Sequence, residues 1–428
     1  MLLAPGLECC GRGNGLAIAG RCGPVAGRPV RPCLGSKPNS AMSIVSNTRR
    51  ILLVCTRLLL FVGLASTGCM SQKLSPARAS FYAERSAVAE KQLAGIKPDE
   101  KDAILLLMER GTIRQTMHLY KESCADLLQA VDLEKHLTPR SATETASSFL
   151  ANDKTISYRG PPFERTLLHS FLAKNYLSLG NWGDAAVEAR NIIMNLQSLD
   201  GYPDDAYSRY LAGFCLELMG DYSNASLQYR YASNLVSGVS IDDRTGAIGA
   251  GSLDNRSDGM SRELVCFVGI GRSPRGVQMY SGHPIRTGSP VSAEIYINGT
   301  LAGRSYNFTC VGDLLQKTLA KKAAMQVAKD VTRIVVKETI AYQIKQKDEG
   351  MGLLAEIIML ALESPDERRW ETLPMWLQVA RIPCPPDLKS YDVVFKNASG
   401  RTIHRKTVSG PITRHGNTFF SFCRDLSP

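Results

Sequence analysis

Tryptophan is scarce in this sequence, with three in 428 residues, and aromatic residues together make up 7%. No Cys-x-x-Cys pair occurs and no cysteine stands at ligand spacing from a histidine, which argues against a zinc framework. Gly-x-Ser-x-Gly, His-Glu-x-x-His and a supported Ser-x-x-Lys are missing as well, so no familiar hydrolase motif is present. The six histidines, His118, His136, His169, His283, His404 and His415, have no catalytic neighbours in sequence. A triad assembled from distant positions stays open, because triads are defined by geometry. "GIGRSPRG" has neither the Lys-Ser/Thr of a phosphate loop nor the third glycine of a dinucleotide turn. Within the amino-terminal segment the longest uncharged apolar stretch, Leu58 to Leu64, is too short to cross a bilayer. These absences lead to an expectation of no catalytic residues, no metal and no cofactor.

Charge excludes a further class. The net charge is +11, but residues 1–68 hold eight Arg/Lys and one Glu. From Cys69 onward 43 basic residues face 39 acidic ones. That near balance carries no nucleic-acid signature. Six cysteines follow Cys69: Cys124, Cys215, Cys266, Cys310, Cys384 and Cys423. They read as small buried hydrophobes, with disulfides an alternative that sequence does not resolve.

What is present begins at the amino end. Residues 1–41 are rich in Gly, Pro, Arg and Cys without periodicity, and read as a mis-assigned or disordered extension before a start at Met42. Residues 42–68 then have signal-peptide architecture: Arg49 and Arg50, an apolar stretch from Ile51 to Leu64, and small residues Ala65 to Gly68 before Cys69. That ending resembles a bacterial lipobox, in which the cysteine thiol takes a diacylglyceryl group and becomes the acylated N-terminus. Only a thiol is nucleophilic enough at neutral pH for that step. Ser66 stands where the pattern prefers Leu. The resemblance implies lipidation at Cys69 and an outer-membrane anchor facing the periplasm. A plain secretory signal and an uncleaved anchor are the alternatives.

From Lys73 to about Val236 apolar residues recur at three and four, predicting helix after helix. "LGNWGDAAVEARNIIMNL" (179–196) aligns with "MGDYSNASLQYRYASNL" (219–235), pairing Trp182 with Tyr222 and Ala185 with Ala225. A fainter copy places Tyr120 and Ser123 in those positions, with Gly111 at a close helix crossing. In the two clearer copies a glycine ends the first helix, a polar residue opens the second, and the aromatic is expected to fill the crevice between them. These units resemble tetratricopeptide repeats, which implies a stacked helical array over residues 69–236. Such stacks present concave surfaces to protein partners. The other reading is a groove filled by the chain itself.

Residues 237–260 are rich in Gly, Ser and Asp and read as a linker. Residues 261–428 read as an α+β domain. Leu264 to Ile270 form a buried strand, "VSAEIYINGTLAGRSYNF" a hairpin, and 313–347 a long amphipathic helix with a basic face. "MGLLAEIIMLALE" reads as a buried helix, and the last 40 residues as three or four antiparallel strands. The expected domain is a small sandwich or open barrel packed on the helices at 313–362.

The least generic stretch is "SPDERRWETLPMWLQVARIPCPPD", with Asp366, Arg368, Arg369, Trp370, Leu373, Pro374, Trp376 and Arg381. With "MERGTIRQ" and "DDAYSRYLAGFCLELMGD", it resembles bacterial outer-membrane lipoproteins of unassigned activity that join tetratricopeptide-like repeats to a C-terminal domain. The two tryptophans are expected in a core, with Arg368, Arg369, Trp370 and Trp376 also standing as candidate partner contacts. The functional expectation is a lipid-anchored, non-catalytic envelope adaptor that binds a protein partner through its repeats. The alternative is a periplasmic enzyme or a glycan- or lipid-binding protein with its site in the C-terminal half.

Overall fold

The structure is a computed structural model that describes residues 70–97, 100–137, 157–249, 262–275, 291–324 and 368–427. Cys69, the leader, Asp366, the helix "MGLLAEIIMLALE" and residues 325–347 of the basic helix lie outside the described residues. Within them the chain is α+β, with helices first and strands after.

Eight described α-helices precede the first strand: α1 Met70–Tyr82, α2 Ser86–Ala94, α3 Ala103–Thr116, α4 Tyr120–His136, α5 Pro162–Leu179, α6 Trp182–Gln197, α7 Ala206–Leu218 and α8 Tyr222–Leu235. Helices α3/α4, α5/α6 and α7/α8 pack as successive hairpins. Their turns share one geometry. Gly180 (φ 74°) and Gly220 (φ 78°) take the left-handed conformation that ends a helix at low cost for glycine. His118 (φ 61°) takes the same place in the first hairpin. In each turn the next amide reaches back five residues: Leu119 to the Arg114 carbonyl at 2.9 Å, Asn181 to Tyr176 at 2.9 Å, Asp221 to Leu216 at 3.0 Å.

The hairpins cross where small residues meet. Gly111, Ala173 and Gly213 each lie seven residues before the turn, and Ser123, Ala185 and Ala225 five after it. A Cβ at Gly111 would stand 2.6 Å from Leu127 Cδ2, and one at Gly213 2.9 Å from Tyr229 Cε1. Close approach therefore dictates these glycines. The turn aromatics do not all fill a crevice: Tyr120 is buried, Trp182 half-buried, and Tyr222 is 64% exposed. Trp182 packs at the edge of the core and meets His415 edge-on, 5.1 Å between ring centres.

Nine described strands form two sheets: β1 Glu263–Ile270, β2 Ser292–Ile297, β3 Thr300–Arg304, β4 Tyr306–Cys310, β5 Trp376–Pro383, β6 Tyr391–Lys396, β7 Thr402–Val408, β8 Thr413–His415 and β9 Thr418–Asp425. The first sheet has the order β4-β5-β1-β9-β8, the second β3-β2-β6-β7. Asn298 and Gly299, both at positive φ, make the hairpin turn between β2 and β3. The tail forms four strands as its alternation implies, but β9 pairs parallel to β1, with Glu263 opposite Thr418.

Strand β1 explains its own sequence. Leu264, Cys266, Val268 and Ile270 face the second sheet, with Ile295, Val393 and Phe395 across the sandwich core. Val265 and Phe267 face the helices. Both faces are covered, so the strand is apolar throughout. The sandwich packs on the N-terminal helices, while helix α9 (residues 311–324) adds Val311, Leu314 and Leu315 to that same core. Within residues 237–249, an Ile241–Ile248 bridge folds the chain back, and Tyr210 donates to the Gly246 carbonyl at 2.5 Å.

Candidate functional site

Of the first helices of the hairpins, α5 and α7 turn toward the sheet, and α3 toward the segment before β5. On α7, Tyr207 meets Phe267 edge-on at 5.5 Å, Tyr210 meets Phe308 at 5.0 Å, and Phe214 stacks on Phe420 at 6.3 Å. The chain's own strands therefore fill the side of the array that a repeat groove would offer. The second helices, α4, α6 and α8, keep apolar residues exposed, among them Leu128, Val187, Met194 and Tyr231.

The segment before β5 locks the two layers together. Trp370 is fully buried, 5.0 Å from the Phe171 ring, and its Nε1 donates to Thr112 Oγ1 at 2.8 Å. Arg368 pairs with Asp102 at 2.8 Å. Arg78 pairs with Glu109 at 2.6 Å and Glu371 at 3.2 Å, and donates to the Arg369 carbonyl at 2.7 Å. Glu109 also accepts the Glu371 amide at 2.9 Å and the Thr372 amide at 3.2 Å. On β5, Arg381 bridges Glu217 of α7 at 2.6 Å and Glu263 of β1 at 2.5 Å. Glu164 accepts the Tyr158 hydroxyl and the Trp370 amide, the latter at 3.4 Å. Burial pushes its carboxyl up to about 7, against the pull of Arg369 and those two donors.

Arg368, Arg369 and Trp370 are thus gathered inside the chain, at 7%, 2% and 0% exposure, between helices and sheet. Trp376 stands apart, half-buried at the start of β5 against the sandwich core. The geometry makes Arg368, Arg369 and Trp370 internal clasps. Of the histidines, His169 pairs with Glu188 at 2.6 Å, His404 lies 3.5 Å from Asp425, and His118 bonds Tyr120 at 2.8 Å. Among the described residues, no group of three His, Cys, Asp or Glu is placed to hold a metal ion.

The open feature lies on the other side. Helices α4, α5 and α6 leave a recess of about 150 Å³, with Val131 and Leu168 in its floor and Asn191, Met194 and Asn195 along one wall. Arg159 and Arg165 both donate to Glu134 Oε1, at 2.6 and 3.3 Å. Burial raises the Glu134 carboxyl, but these two guanidiniums outweigh it and hold the group below its ordinary range. Lys135 also lines the recess and makes no ion pair among the described residues. Met194 is 65% exposed at the rim. Sequence reasoning missed this site. Its one signal is Val187 and Met194, seven apart on the outer face of α6.

No family model matches this sequence, and no curated protein matches it. Among solved structures, a Rap protein complexed with competence and sporulation factor aligns with 37% of this chain at 16% identity and a TM-score of 0.24. The chain covers 40% of that protein's length. A likeness of this size carries no argument about fold or partner, and the repeat character rests on the three hairpins themselves.

Proposed function

We propose that this chain is a lipid-anchored, non-catalytic adaptor of the bacterial envelope that holds a protein partner on the outer helices of its repeats. The observation that carries the reading is the recess between α4, α5 and α6, where exposed Met194 stands over an apolar floor with amides and charges around it. Partner surfaces commonly combine an apolar centre with a polar rim. The inner side of the array is occupied by the sheet, so the outer side is where a partner has access. The anchor is inferred from the lipobox-like ending at Cys69, and on this reading the protein sits at the outer membrane, facing the periplasm.

Two measurements test the proposal. A photo-crosslinking residue at Met194 is expected to trap one envelope protein, and a residue at Leu301, on the opposite layer, is not. Adding Asn191→Asp and Lys135→Glu should abolish the adduct. No adduct at Met194, or one indifferent to both changes, would overturn the adaptor reading. The intact mass of the N-terminal peptide, compared with Cys69→Ala, should show acylation at Cys69; a free amine there would remove the anchor.

A further inference from the structure

We propose that the outer face of the four-stranded sheet docks on an anionic lipid surface. One face of this sheet packs on the sandwich core, and the register defines the other. Glu294 stands opposite both Arg304 and Val394, Val394 opposite Arg405, and Tyr296 opposite Leu301 and Asp392. Ile403 alternates with Arg405 along β7 and so joins them. Leu301 is 52% and Ile403 48% exposed. They sit on β3 and β7, the outermost strands of this sheet, about 14 Å apart at ordinary strand spacing. Arg405 lies 5.8 Å from the Tyr296 ring between them.

The charges on this face do not cancel. Glu294 is taken up by Lys396 at 2.6 Å and by the Tyr296 hydroxyl at 2.9 Å; Asp392 accepts Thr407 Oγ1 at 2.6 Å and keeps its charge, so Arg304 and Arg405 leave the face one charge positive. Arg304 and Arg405 are exposed and have no carboxylate ion pair among the described residues. Arg304, 5.2 Å from the Tyr306 ring, and Arg405, over Tyr296, with aliphatic tips at both margins, fit lipid phosphates above an acyl boundary. A nucleic acid would answer the cations but leave Leu301 and Ile403 without a partner.

The test is hydroxyl-radical footprinting of the full chain on vesicles of phosphatidylglycerol or of phosphatidylcholine. Leu301, Tyr296 and Ile403 should lose reactivity on the anionic vesicles only, with Met194 unchanged. The Arg304→Glu, Arg405→Glu double variant should lose that protection and bind anionic vesicles about tenfold or more weakly. The readout is local, so it does not depend on acylation at Cys69 or on the partner reading. Both arginines are exposed, and an unchanged far-ultraviolet dichroism spectrum verifies the fold. Equal protection on both lipids, no protection on either, or protection that survives the double reversal would overturn the proposal.

Discussion

Lys174 Nζ lies 3.7 Å from the centre of the Phe171 ring, with the Phe422 ring 4.4 Å away on the sheet side. The side chain is 1% exposed and its nitrogen has no hydrogen-bond partner among the described residues. Burial holds its pKa well below the ordinary lysine range, and Arg424 acts in the same direction. The unfolded chain therefore binds a proton here that the folded chain does not, and stability contributed at this site rises with pH up to about 10.5. Lys174→Met should stabilise the protein at neutral pH by roughly 1–3 kcal/mol. Urea unfolding of both forms across pH checks this: the difference should shrink as pH approaches that upper limit.

Glu164 behaves in the opposite sense. Its folded pKa of about 7 lies above the ordinary 4.5, so the folded state holds the proton more tightly. Stability contributed by this group is full below pH 4.5 and is lost as pH rises through 7. Glu164→Gln keeps a carbonyl to accept from Tyr158 and Trp370. Relative to wild type it should gain on the order of 2 kcal/mol between pH 5 and pH 8. Paired denaturation curves at those two pH values provide the check, and a constant difference would refute it.

Trp370 belongs to the helical and the sheet layers at once. Trp370→Ala should cost about 3–5 kcal/mol by loss of buried volume. Trp370→Phe should cost less, about 1–2 kcal/mol, chiefly for the Thr112 hydrogen bond. Because the two layers share a core, helix dichroism and protection of β1 amides should disappear in one transition for each variant. Separate midpoints would show that the layers fold independently.

Gly180 and Gly183 lie three residues apart and should respond oppositely. Gly180 needs positive φ, so Gly180→Ala should cost about 1 kcal/mol. Gly183 is helical, with open space where a Cβ would stand, so Gly183→Ala should gain about 0.5–1 kcal/mol. Thermal midpoints of the two single variants test the pair.

The repeat was legible because Gly180 and Gly220 carry its turn chemistry openly. The first hairpin was fainter because His118 adopts the same left-handed conformation without a glycine to announce it. Strand β1 was legible from its unbroken apolar run, and the hairpin at Asn298 from its Asn-Gly pair. The destination of the sheet was not. Nothing local in "FERTLLHSFLAKNYLS" says that Lys174 faces Phe422, because that contact joins residues about 250 apart in sequence. The buried role of Arg78, Arg368 and Arg381 was hidden for a similar reason. An arginine reads as surface until its carboxylates are found on other elements. The recess was invisible because it exists only between helices, with each lining residue ordinary on its own.

The parallel pairing of β1 with β9 sets an order on the making of this protein. The central strand emerges from the ribosome roughly 160 residues before its last neighbour, Thr418–Asp425, is synthesised. Until then one edge of an apolar strand stands open, with both faces in need of cover. A chain stalled or clipped shortly before Thr418 would keep its described helices and seven of the nine described strands, β8 losing its one partner with β9, yet present that edge to any other nascent chain. Quality control of this protein therefore turns on Thr418–Asp425, and a reporter fused after that strand would sense completion of the sheet.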